Sequence, residues 1–151
     1  MTTKNNPIVI FDIDGTLADN GHRQYLLANG EYKWETFFQA MGEDKPIEPI
    51  VNLCKDLHSL KKYQIHLFTG RPERYRKLTE QWLTWNNIPP LPLHMRQDGD
   101  VRQDEIIKEE MLDNILLTDS HVSFVVDDRD SVVAMWRRRG IVCLQCLSQI
   151  S

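Results

Sequence analysis

The sequence lacks the features that mark membrane, secreted or disulfide-stabilised proteins. None of its apolar runs approaches the roughly 18 to 20 residues that a membrane-spanning helix needs. The polar segment 1–7 carries no apolar stretch of the kind found in secretion signals. The 151 residues include three cysteines, an odd number that does not predict a disulfide framework. Together these absences predict a cytoplasmic protein.

The sequence also lacks an excess of positive charge. Its 18 basic and 22 acidic residues give a net charge of −4, so a general affinity for polyanions is not expected. Any contact with nucleic acid is expected to be local, for example with a strand end in a pocket. The sequence has no internal repeat and no Gly-x-x-x-x-Gly-Lys-Ser/Thr phosphate-binding loop, which predicts that this chain contains no P-loop kinase domain.

Two of the cysteines, Cys143 and Cys146, have the Cys-x-x-Cys spacing. A zinc or redox role for this pair would require a second pair of ligands or a helix N-terminus. Neither is evident, because the pair lies in an apolar run that is typical of a last strand. We therefore interpret these residues as buried structural thiols.

Short apolar runs alternate with longer amphipathic stretches along the chain. The runs that predict strands are Ile8–Phe11, Ile65–Phe68, Leu91–Met95, Val122–Val126 and Ile141–Leu144. The stretches that predict helices are roughly Pro49–Lys62, the segment that follows Pro72 and includes Trp85, Asp104–Leu117 and Arg129–Arg139. This alternation predicts a Rossmann-like α/β fold, with a parallel sheet of about five strands and helices on both faces.

Polar residues follow the ends of three of these strands. Asp12 follows the first apolar run, Thr69 the second, and Asp127 and Asp128 the fourth. Ligands of open α/β sheets bind at the carboxyl ends of the strands, near the point where the strand order reverses. The sequence therefore predicts that three separate segments bring these polar groups to one site.

The segment Asp12-Ile13-Asp14-Gly15-Thr16 is suited to phosphoryl transfer. One carboxylate can attack phosphorus and form an aspartyl phosphate, and the other can protonate the leaving oxygen and later activate water. A divalent cation would relieve the repulsion between the two carboxylates and neutralise the phosphate. Gly15 permits a backbone turn, and Thr16 can donate hydrogen bonds. An alternative interpretation is a strand that ends in an Asx turn.

These residues resemble the motifs of the haloacid dehalogenase superfamily of phosphotransferases. In this resemblance Asp12 matches the nucleophile, Asp14 the general acid/base and Thr69 the hydroxyl that binds the transferring phosphoryl group. Lys108 matches the basic residue that neutralises developing charge, and Asp127 the carboxylate that completes a magnesium site. The resemblance implies that Mg²⁺ is held by Asp12, the backbone carbonyl of Asp14 and Asp127. It also implies the strand order 3-2-1-4-5 in one domain over residues 1–151, with a small helical cap at about residues 18–46.

A narrower resemblance links most of the chain to the 3′-phosphatase domain of the bacteriophage polynucleotide kinase family. The segments that carry it are Gly70-Arg71, 97–110, 126–129 and 133–140. It implies that the residues which bind substrate are Thr69, Gly70, Arg71, Arg23, Asp104 and Asp128. Arg71 is then expected to be a bidentate phosphate ligand. Asp104, one helical turn before Lys108, is expected to orient Lys108 or Arg71.

The segment between the first two motifs contains several aromatic residues, in the stretches 25–27 and 34–38. They are expected either to pack a helical lid onto the body of the protein or to stack on a nucleobase. The run Arg137-Arg138-Arg139 suggests a nucleic-acid contact, but basic residues in a last helical turn also interact favourably with the helix dipole. We favour the dipole interpretation for this run.

The sequence therefore predicts a magnesium-dependent phosphatase with an aspartyl-phosphate intermediate. The favoured substrate is the 3′-phosphate of a polynucleotide end. The alternative is a small-molecule phosphatase, for example one acting on nucleoside monophosphates. A phosphate-binding module without catalysis is also compatible with the fold, but the intact set of acidic and basic motif residues argues against it. The sequence makes no prediction about the oligomeric state.

Overall fold

The computed structural model describes residues 6–30, 33–118 and 120–146. Within these ranges the strands are β1 (Ile8–Asp12), β2 (Ala18–Asp19), β3 (Lys45–Pro46), β4 (Gln64–Pro72), β5 (Leu93–Arg96), β6 (Val122–Asp127) and β7 (Cys143–Gln145). The α-helices are α1 (Trp34–Gln39), α2 (Glu48–Leu60), α3 (Arg76–Trp85), α4 (Asp104–Leu116) and α5 (Asp130–Arg138). Short 3₁₀ helices cover Gly21–Gly30, Ala40–Glu43 and Glu73–Tyr75. No helix in the described ranges combines the length and the apolar character of a membrane span.

In the described part of the chain, five strands form one parallel sheet in the order β5-β4-β1-β6-β7. When the short strands β2 and β3 are set aside, this is the order 3-2-1-4-5, as predicted. The order reverses at β1, which pairs with β4 on one side and with β6 on the other. The carboxyl ends of these three strands therefore border the crevice where ligands bind in such sheets.

Strand β1 shows why the apolar runs of this sequence are continuous. All five of its residues are buried, because helices cover both faces of the sheet. Ile8 and Ile10 pack into a cluster with side chains of α4 and α5. Val9 and Phe11 point to the opposite face and pack with side chains of α2 and α3. A strand with two buried faces needs apolar side chains at every position.

The predicted strands and helices are all present, with ends that differ by a few residues. α3 begins at Arg76 rather than directly after Pro72, because a 3₁₀ turn intervenes. The last strand begins at Cys143 rather than Ile141, since the N–H of Ile141 donates to the carbonyl of Trp136 at the end of α5. Gly140 has a φ of +75° and donates its N–H to the carbonyl of Arg137, which is the C-terminal cap expected for this helix.

Residues 18–46 are here called the cap segment. The two ends of this segment lie next to each other, at the edge of the body of the protein. β2 pairs antiparallel with β3, with Ala18 opposite Pro46 and Asp19 opposite Lys45. Between these strands lie α1 and two of the 3₁₀ helices. Phe37 and Met41 are buried, so the cap segment packs these apolar side chains inward.

Candidate active site

Three acidic or hydroxyl side chains converge where the sheet order reverses. Asp12 is the last residue of β1 and Asp127 the last of β6, while Thr69 lies in β4 one residue beyond Phe68, the residue paired with Asp12. Asp12, Thr69 and Asp127 are all buried. Buried polar groups require compensating partners, and the neighbours of these residues supply them. The predicted convergence of these segments is therefore present in the structure.

Lys108 connects two of these strand ends from helix α4. Its Nζ atom lies 2.7 Å from Oδ1 of Asp12 and 3.1 Å from Oδ2 of Asp127. The residue is 2% exposed. Burial by itself lowers the pKa of this amine, but the carboxylates of Asp12 and Asp127 more than offset it and raise the pKa above its ordinary value. The amine is therefore a permanent positive charge beside Asp12.

The carboxylates of Asp12, Asp127 and Asp128 form the acidic centre of the site. Each offers an oxygen atom within 4.8 Å of the others, in the part of the chain that the structure describes. Burial, and then repulsion from Asp127, raise the pKa of Asp12 well above its ordinary value. Burial also raises the pKa of Asp128. Crowded, desolvated carboxylates of this kind fit a hard divalent cation, which takes oxygen ligands and relieves the repulsion.

Gly15 allows the chain to turn directly after the two motif aspartates, where the backbone passes Asp128. Its φ is +83°, and a Cβ atom at this position would lie 2.1 Å from Oδ2 of Asp128. The next residue, Thr16, donates from Oγ1 to Oδ2 of Asp12 at 3.1 Å. The predicted turn and the predicted hydroxyl donor are thus both found.

The carboxylate of Asp14 is turned away from the acidic centre and held by two arginines. Arg71 donates to it from Nε at 3.0 Å and from Nη2 at 2.7 Å, and Arg23 donates from Nη2 at 2.7 Å. Burial alone would raise the pKa of Asp14, but the charge and hydrogen bonds of Arg71, followed by the charge of Arg23, lower it to about 2. The metal ligand expected from Asp14 is its backbone carbonyl, and that expectation stays a prediction.

This arrangement differs from the expected role of Arg71. Its planar fork was expected to hold a phosphate, but in this structure the bidentate partner is the carboxylate of Asp14. The remaining donor, Nη1, lies 3.2 Å from Oγ1 of Thr79 and 3.0 Å from Sδ of Met41. Arg71 is completely buried, and a buried guanidinium must satisfy its donors on protein groups when no phosphate is bound.

Asp44 is a site residue that the sequence did not reveal. It is buried at the end of the cap segment, and its carboxylate accepts hydrogen bonds from Arg23 at 2.9 Å and 2.9 Å and from Arg71 at 3.4 Å. Nε2 of His22 lies 2.6 Å from its Oδ1 atom. In the sequence it belongs to Gly-Glu-Asp-Lys, which is typical of a solvated turn, so no local pattern distinguishes Asp44 from an ordinary surface residue.

Asp104 was expected to orient Lys108 or Arg71, but its hydrogen bonds in this structure go to other residues. Its carboxylate accepts from Arg96 and, at 2.8 Å, from Arg129. Lys108 lies one turn further along α4, but its ammonium group extends inward to the acidic centre while Asp104 faces the loop that carries Gly70. A Cβ atom on Gly70 would lie 2.6 Å from Oδ1 of Asp104. Asp104 therefore acts on the site through the loop and through its charge near Lys108.

The aromatic residues of the stretch 34–38 pack against one another and against the body, whereas Tyr25 is exposed. Phe38 lies 5.2 Å from the ring of Tyr75, and Trp34 stacks on Phe38 at 5.8 Å. The guanidinium of Arg23 lies 4.3 Å from the centre of the Phe37 ring. These contacts favour the packing interpretation for the stretch 34–38.

We assign no catalytic role to Cys143, Cys146 or the run Arg137-Arg138-Arg139. Cys143 is buried as expected, whereas Cys146 is half-buried. Burial raises the pKa of both thiols to about 11. Arg138 and Arg139 donate to Glu109 of α4 at 2.9 Å and 2.9 Å. These ion pairs tie α5 to α4, which fits the interpretation of the run as part of a solvated helix end.

Comparisons with known proteins agree with this site. Residues 6–149 match the family model of the polynucleotide kinase PNKP phosphatase domain. A chain of the solved Pnkp1/Rnl/Hen1 complex is 32% identical, with a TM-score of 0.77, over 97% of this chain and 47% of that chain. A chain of a second structure, of the Pnkp1/Rnl/Hen1 RNA repair complex, is 31% identical, with a TM-score of 0.78, over 100% of this chain and 46% of that chain.

More distant relatives share less with this chain. A protein of Autographa californica nuclear polyhedrosis virus, named for bifunctional polynucleotide kinase and RNA ligase activities, is 25% identical over 130 residues, which are 85% of this chain and 17% of the viral protein. A hydrolase from Streptococcus pneumoniae TIGR4, 17% identical over 98% of this chain and 96% of its own, has a TM-score of 0.61 and shares the fold. The chain spans less than half the length of the viral protein and of the repair-complex chains. Because the family match runs over nearly the whole sequence and the motif residues lie together, the chain belongs to the polynucleotide kinase phosphatase-domain family of haloacid dehalogenase-type phosphatases.

Proposed function

We propose that this domain hydrolyses phosphate monoesters with the help of Mg²⁺, through an aspartyl phosphate on Asp12, and that its substrate is the 3′-phosphate of a polynucleotide end. The observation that carries the proposal is the surroundings of Asp12. Its carboxylate lies between the amine of Lys108 and two further carboxylates, while Asp14 is held separately by arginines. One carboxylate can thus act as a nucleophile and the other can move a proton.

The first step transfers the phosphoryl group to the protein. An oxygen of Asp12 forms a bond to phosphorus as the bond from phosphorus to the sugar oxygen breaks. The electron pair of that bond goes to the sugar oxygen, which takes a proton from Asp14. Thr69, the Gly70 backbone and Lys108 are proposed to bind the phosphoryl oxygens and to stabilise the charge that develops on them.

The second step releases phosphate. Asp14, now ionised, takes a proton from a water molecule whose oxygen attacks phosphorus, and the bond between phosphorus and Asp12 breaks. Both aspartates return to their starting forms. Asp12, Asp127, Asp128 and the carbonyl of Asp14 would hold Mg²⁺, which would supply positive charge to neutralise the phosphate oxygens.

Arg71 can serve both Asp14 and the substrate. A phosphate that enters the site presents oxygens that suit the same planar fork, so it competes with Asp14 for Arg71. When the phosphate takes over this fork, Asp14 keeps fewer donors and can carry the proton that the leaving group needs. The expected role of Arg71 as a phosphate ligand is thus proposed for the substrate-bound protein.

A second candidate is a phosphatase of small nucleotides, and one observation favours it. The exposed arginines nearest the strand ends are ion-paired: Arg74 with Glu35, Arg102 with Asp100, and Arg129 with Asp104. With a net charge of −4, the part of the chain that the structure describes presents no continuous basic track for a long polyanion. A mononucleotide needs no such track.

Phosphate release from a matched panel tests the two candidates. The panel contains 3′-phosphorylated and 5′-phosphorylated oligonucleotides, in RNA and DNA forms, and nucleoside 3′- and 5′-monophosphates. Each is incubated with Mg²⁺ or with chelator, and Asp12→Asn serves as the blank. Strong preference for the 3′-phosphorylated oligonucleotide supports end processing, whereas equal turnover of mononucleotides overturns it. Binding through several backbone phosphates also weakens steeply with salt, while mononucleotide binding does not.

We also propose that the domain acts in nucleic-acid end repair alongside kinase and ligase activities that lie outside residues 1–151. The support is its likeness to chains of a Pnkp1/Rnl/Hen1 RNA repair complex, of which it covers less than half. Sealing a broken strand requires a free 3′-hydroxyl, which is the product that removal of a 3′-phosphate leaves.

A further inference from the structure

Two arginines and two aspartates form a buried, charge-balanced group beside the acidic centre. Asp14 and Arg71 belong to the body of the protein, while Arg23 and Asp44 belong to the cap segment. Arg23 is 1% exposed, Arg71 is 0% exposed and Asp44 is 5% exposed. Every buried side-chain nitrogen and oxygen atom among the described residues has a hydrogen-bond partner. The positions of these four side chains therefore depend on one another.

Asp44 is the member of the group that contacts both arginines without contacting Asp14. It receives two hydrogen bonds from Arg23, from Nε and from Nη2, and one from Nη2 of Arg71. The same Nη2 atoms also donate to Oδ1 of Asp14, each at 2.7 Å. Each arginine thus bridges the two carboxylates through one nitrogen atom.

The charges of the group require Asp44. Two guanidinium groups beside Asp14 alone would leave one positive charge unbalanced in a buried place, and an uncompensated buried charge is costly. Asp44 supplies the second negative charge and sets the planes of both guanidinium groups. Its backbone carbonyl accepts from Nε1 of Trp82 at 2.7 Å, which anchors the residue to helix α3 of the body.

We propose that Asp44 is a positioning residue for proton transfer: it holds Arg23, and Arg23 keeps the carboxylate of Asp14 beside the leaving oxygen when the phosphate takes over the fork of Arg71. This inference rests on the proposed function of Asp14 as general acid/base. It adds that the cap segment contributes to the chemistry, because its packing against the body brings Asp44 to Arg71 and Arg23 to Asp14.

The proposal predicts a dependence on the leaving group. A sugar oxygen must receive a proton as its bond to phosphorus breaks, whereas p-nitrophenolate is stable enough to leave without one. A misplaced Asp14 should therefore slow the hydrolysis of an alkyl phosphate much more than that of p-nitrophenyl phosphate. A role of Asp44 in folding alone would lower the turnover of both esters by the same factor.

The test compares kcat/KM for the best alkyl phosphate of the panel with kcat/KM for p-nitrophenyl phosphate, because kcat/KM reports the first phosphoryl transfer and not the later hydrolysis of the aspartyl phosphate, which both esters share. For Asp44→Asn, we expect the alkyl ester to lose about 10- to 100-fold more than the aryl ester, the range typical of residues that orient a functional group. Glu43→Gln is the matched control, since it removes the same charge from the exposed neighbouring residue. It should leave the ratio of the alkyl rate to the aryl rate unchanged. Equal losses for both esters, or no loss, would overturn the proposal.

Two further variants keep the test decisive if Asp44→Asn folds poorly. Asp44→Glu retains the charge but displaces the carboxylate oxygens by one methylene, so it should still show a selective loss on the alkyl ester. In the double variant Asp14→Asn/Asp44→Asn, the alkyl ester should lose no more than about twofold beyond Asp14→Asn, because residues that act as a unit are not additive. If the loss in the double variant equals the product of the losses in the two single variants, Asp44 acts independently of Asp14 and the proposal is wrong.

The outcome is separable from the proposed substrate. If the wild type hydrolyses p-nitrophenyl phosphate and a small alkyl phosphate but no polynucleotide 3′-phosphate, the substrate proposal fails. The comparison of alkyl and aryl esters still decides the role of Asp44 in that case.

Discussion

The Nζ atom of Lys108 lies 2.7 Å from Oδ1 of Asp12, although 96 positions separate the two residues in the chain. The same amine reaches Asp127 at 3.1 Å. In the absence of a bound cation, this amine is the positive charge that balances the buried carboxylates of the acidic centre. Lys108 thus has a structural task in the free protein and a proposed electrostatic task during catalysis.

Lys108→Met should reveal both tasks. We expect it to lower kcat and to reduce the melting temperature of the metal-free protein, because two buried carboxylates lose their partner. Mg²⁺ should then raise the melting temperature of the variant more than that of the wild type. Lys77→Met, at an exposed position of α3, is the control. An equal Mg²⁺ effect in variant and wild type would contradict this account of Lys108.

Metal binding should depend on the acidic centre. At 100 times its dissociation constant, Mg²⁺ should stabilise the wild type by about 2.7 kcal/mol, which is a rise in melting temperature of about 5 to 10 °C for a domain of this size. Asp127→Asn should abolish most of this rise and the phosphatase activity. Asp56→Asn, on the exposed side of α2, should retain both. A full Mg²⁺ effect in Asp127→Asn would place the metal elsewhere.

Gly15 and Gly99 offer a matched pair for the loop next to the acidic centre. Both have a φ of +83°, but a Cβ atom at Gly15 would collide with Asp128, whereas one at Gly99 would meet nothing within 4 Å. Both alanine variants should lose about 1 to 2 kcal/mol of stability from the strained backbone. Only Gly15→Ala should also lose activity, through displacement of Asp128. Equal activity in the two variants would show that Asp128 is not needed where it stands.

A histidine pair on the sheet predicts part of the acid sensitivity. His66 of β4 and His94 of β5 stack with their ring nitrogens 2.9 Å apart. Burial, and then the neighbouring His94, lower the pKa of His66 to about 4, below its unfolded value of about 6.5. The neutral form is therefore favoured in the folded protein, and the stability it contributes is present above pH 6.5 and is lost as the pH falls towards 4.

Melting temperatures at pH 7 and pH 4.5 test this effect. His66→Gln should show a smaller difference between the two pH values than the wild type does, even if its stability at pH 7 is lower. His121→Gln, at an exposed position, should leave the difference unchanged. If the difference is the same in all three proteins, other groups account for the acid sensitivity.

Much of the site could be predicted from sequence because its residues follow strand ends. Asp12, Thr69 and Asp127 are marked by the apolar runs that precede them, and parallel pairing then brings these ends together. Lys108 was predicted only through its resemblance to a family motif, since an isolated lysine on a helix gives no local signal. Asp44 was missed, because its neighbours in sequence are typical of a surface turn.

The sequence predicted the positions of the site residues better than their hydrogen-bond partners. Asp104 was expected to orient Lys108 or Arg71, and its hydrogen bonds instead go to Arg96 and Arg129. The spacing of one helical turn was correct, but a long lysine side chain can reach away from its neighbour on the helix. Lys108 extends to the buried carboxylates of Asp12 and Asp127, and this leaves Asp104 to pair with the arginines beside it.

By itself, the sequence determined the five-stranded parallel sheet, the helices on its two faces and the edge where Asp12, Thr69 and Asp127 meet. These follow from local patterns, because a strand buried on both faces must be apolar throughout and must end where polar residues begin. Only the tertiary structure decided that Arg71 holds Asp14, 57 positions away, and that Asp44, 27 positions before Arg71, holds the arginine in turn. Buried charges take the partners that neutralise them at short range, and those partners are known only once the cap segment is folded against the sheet.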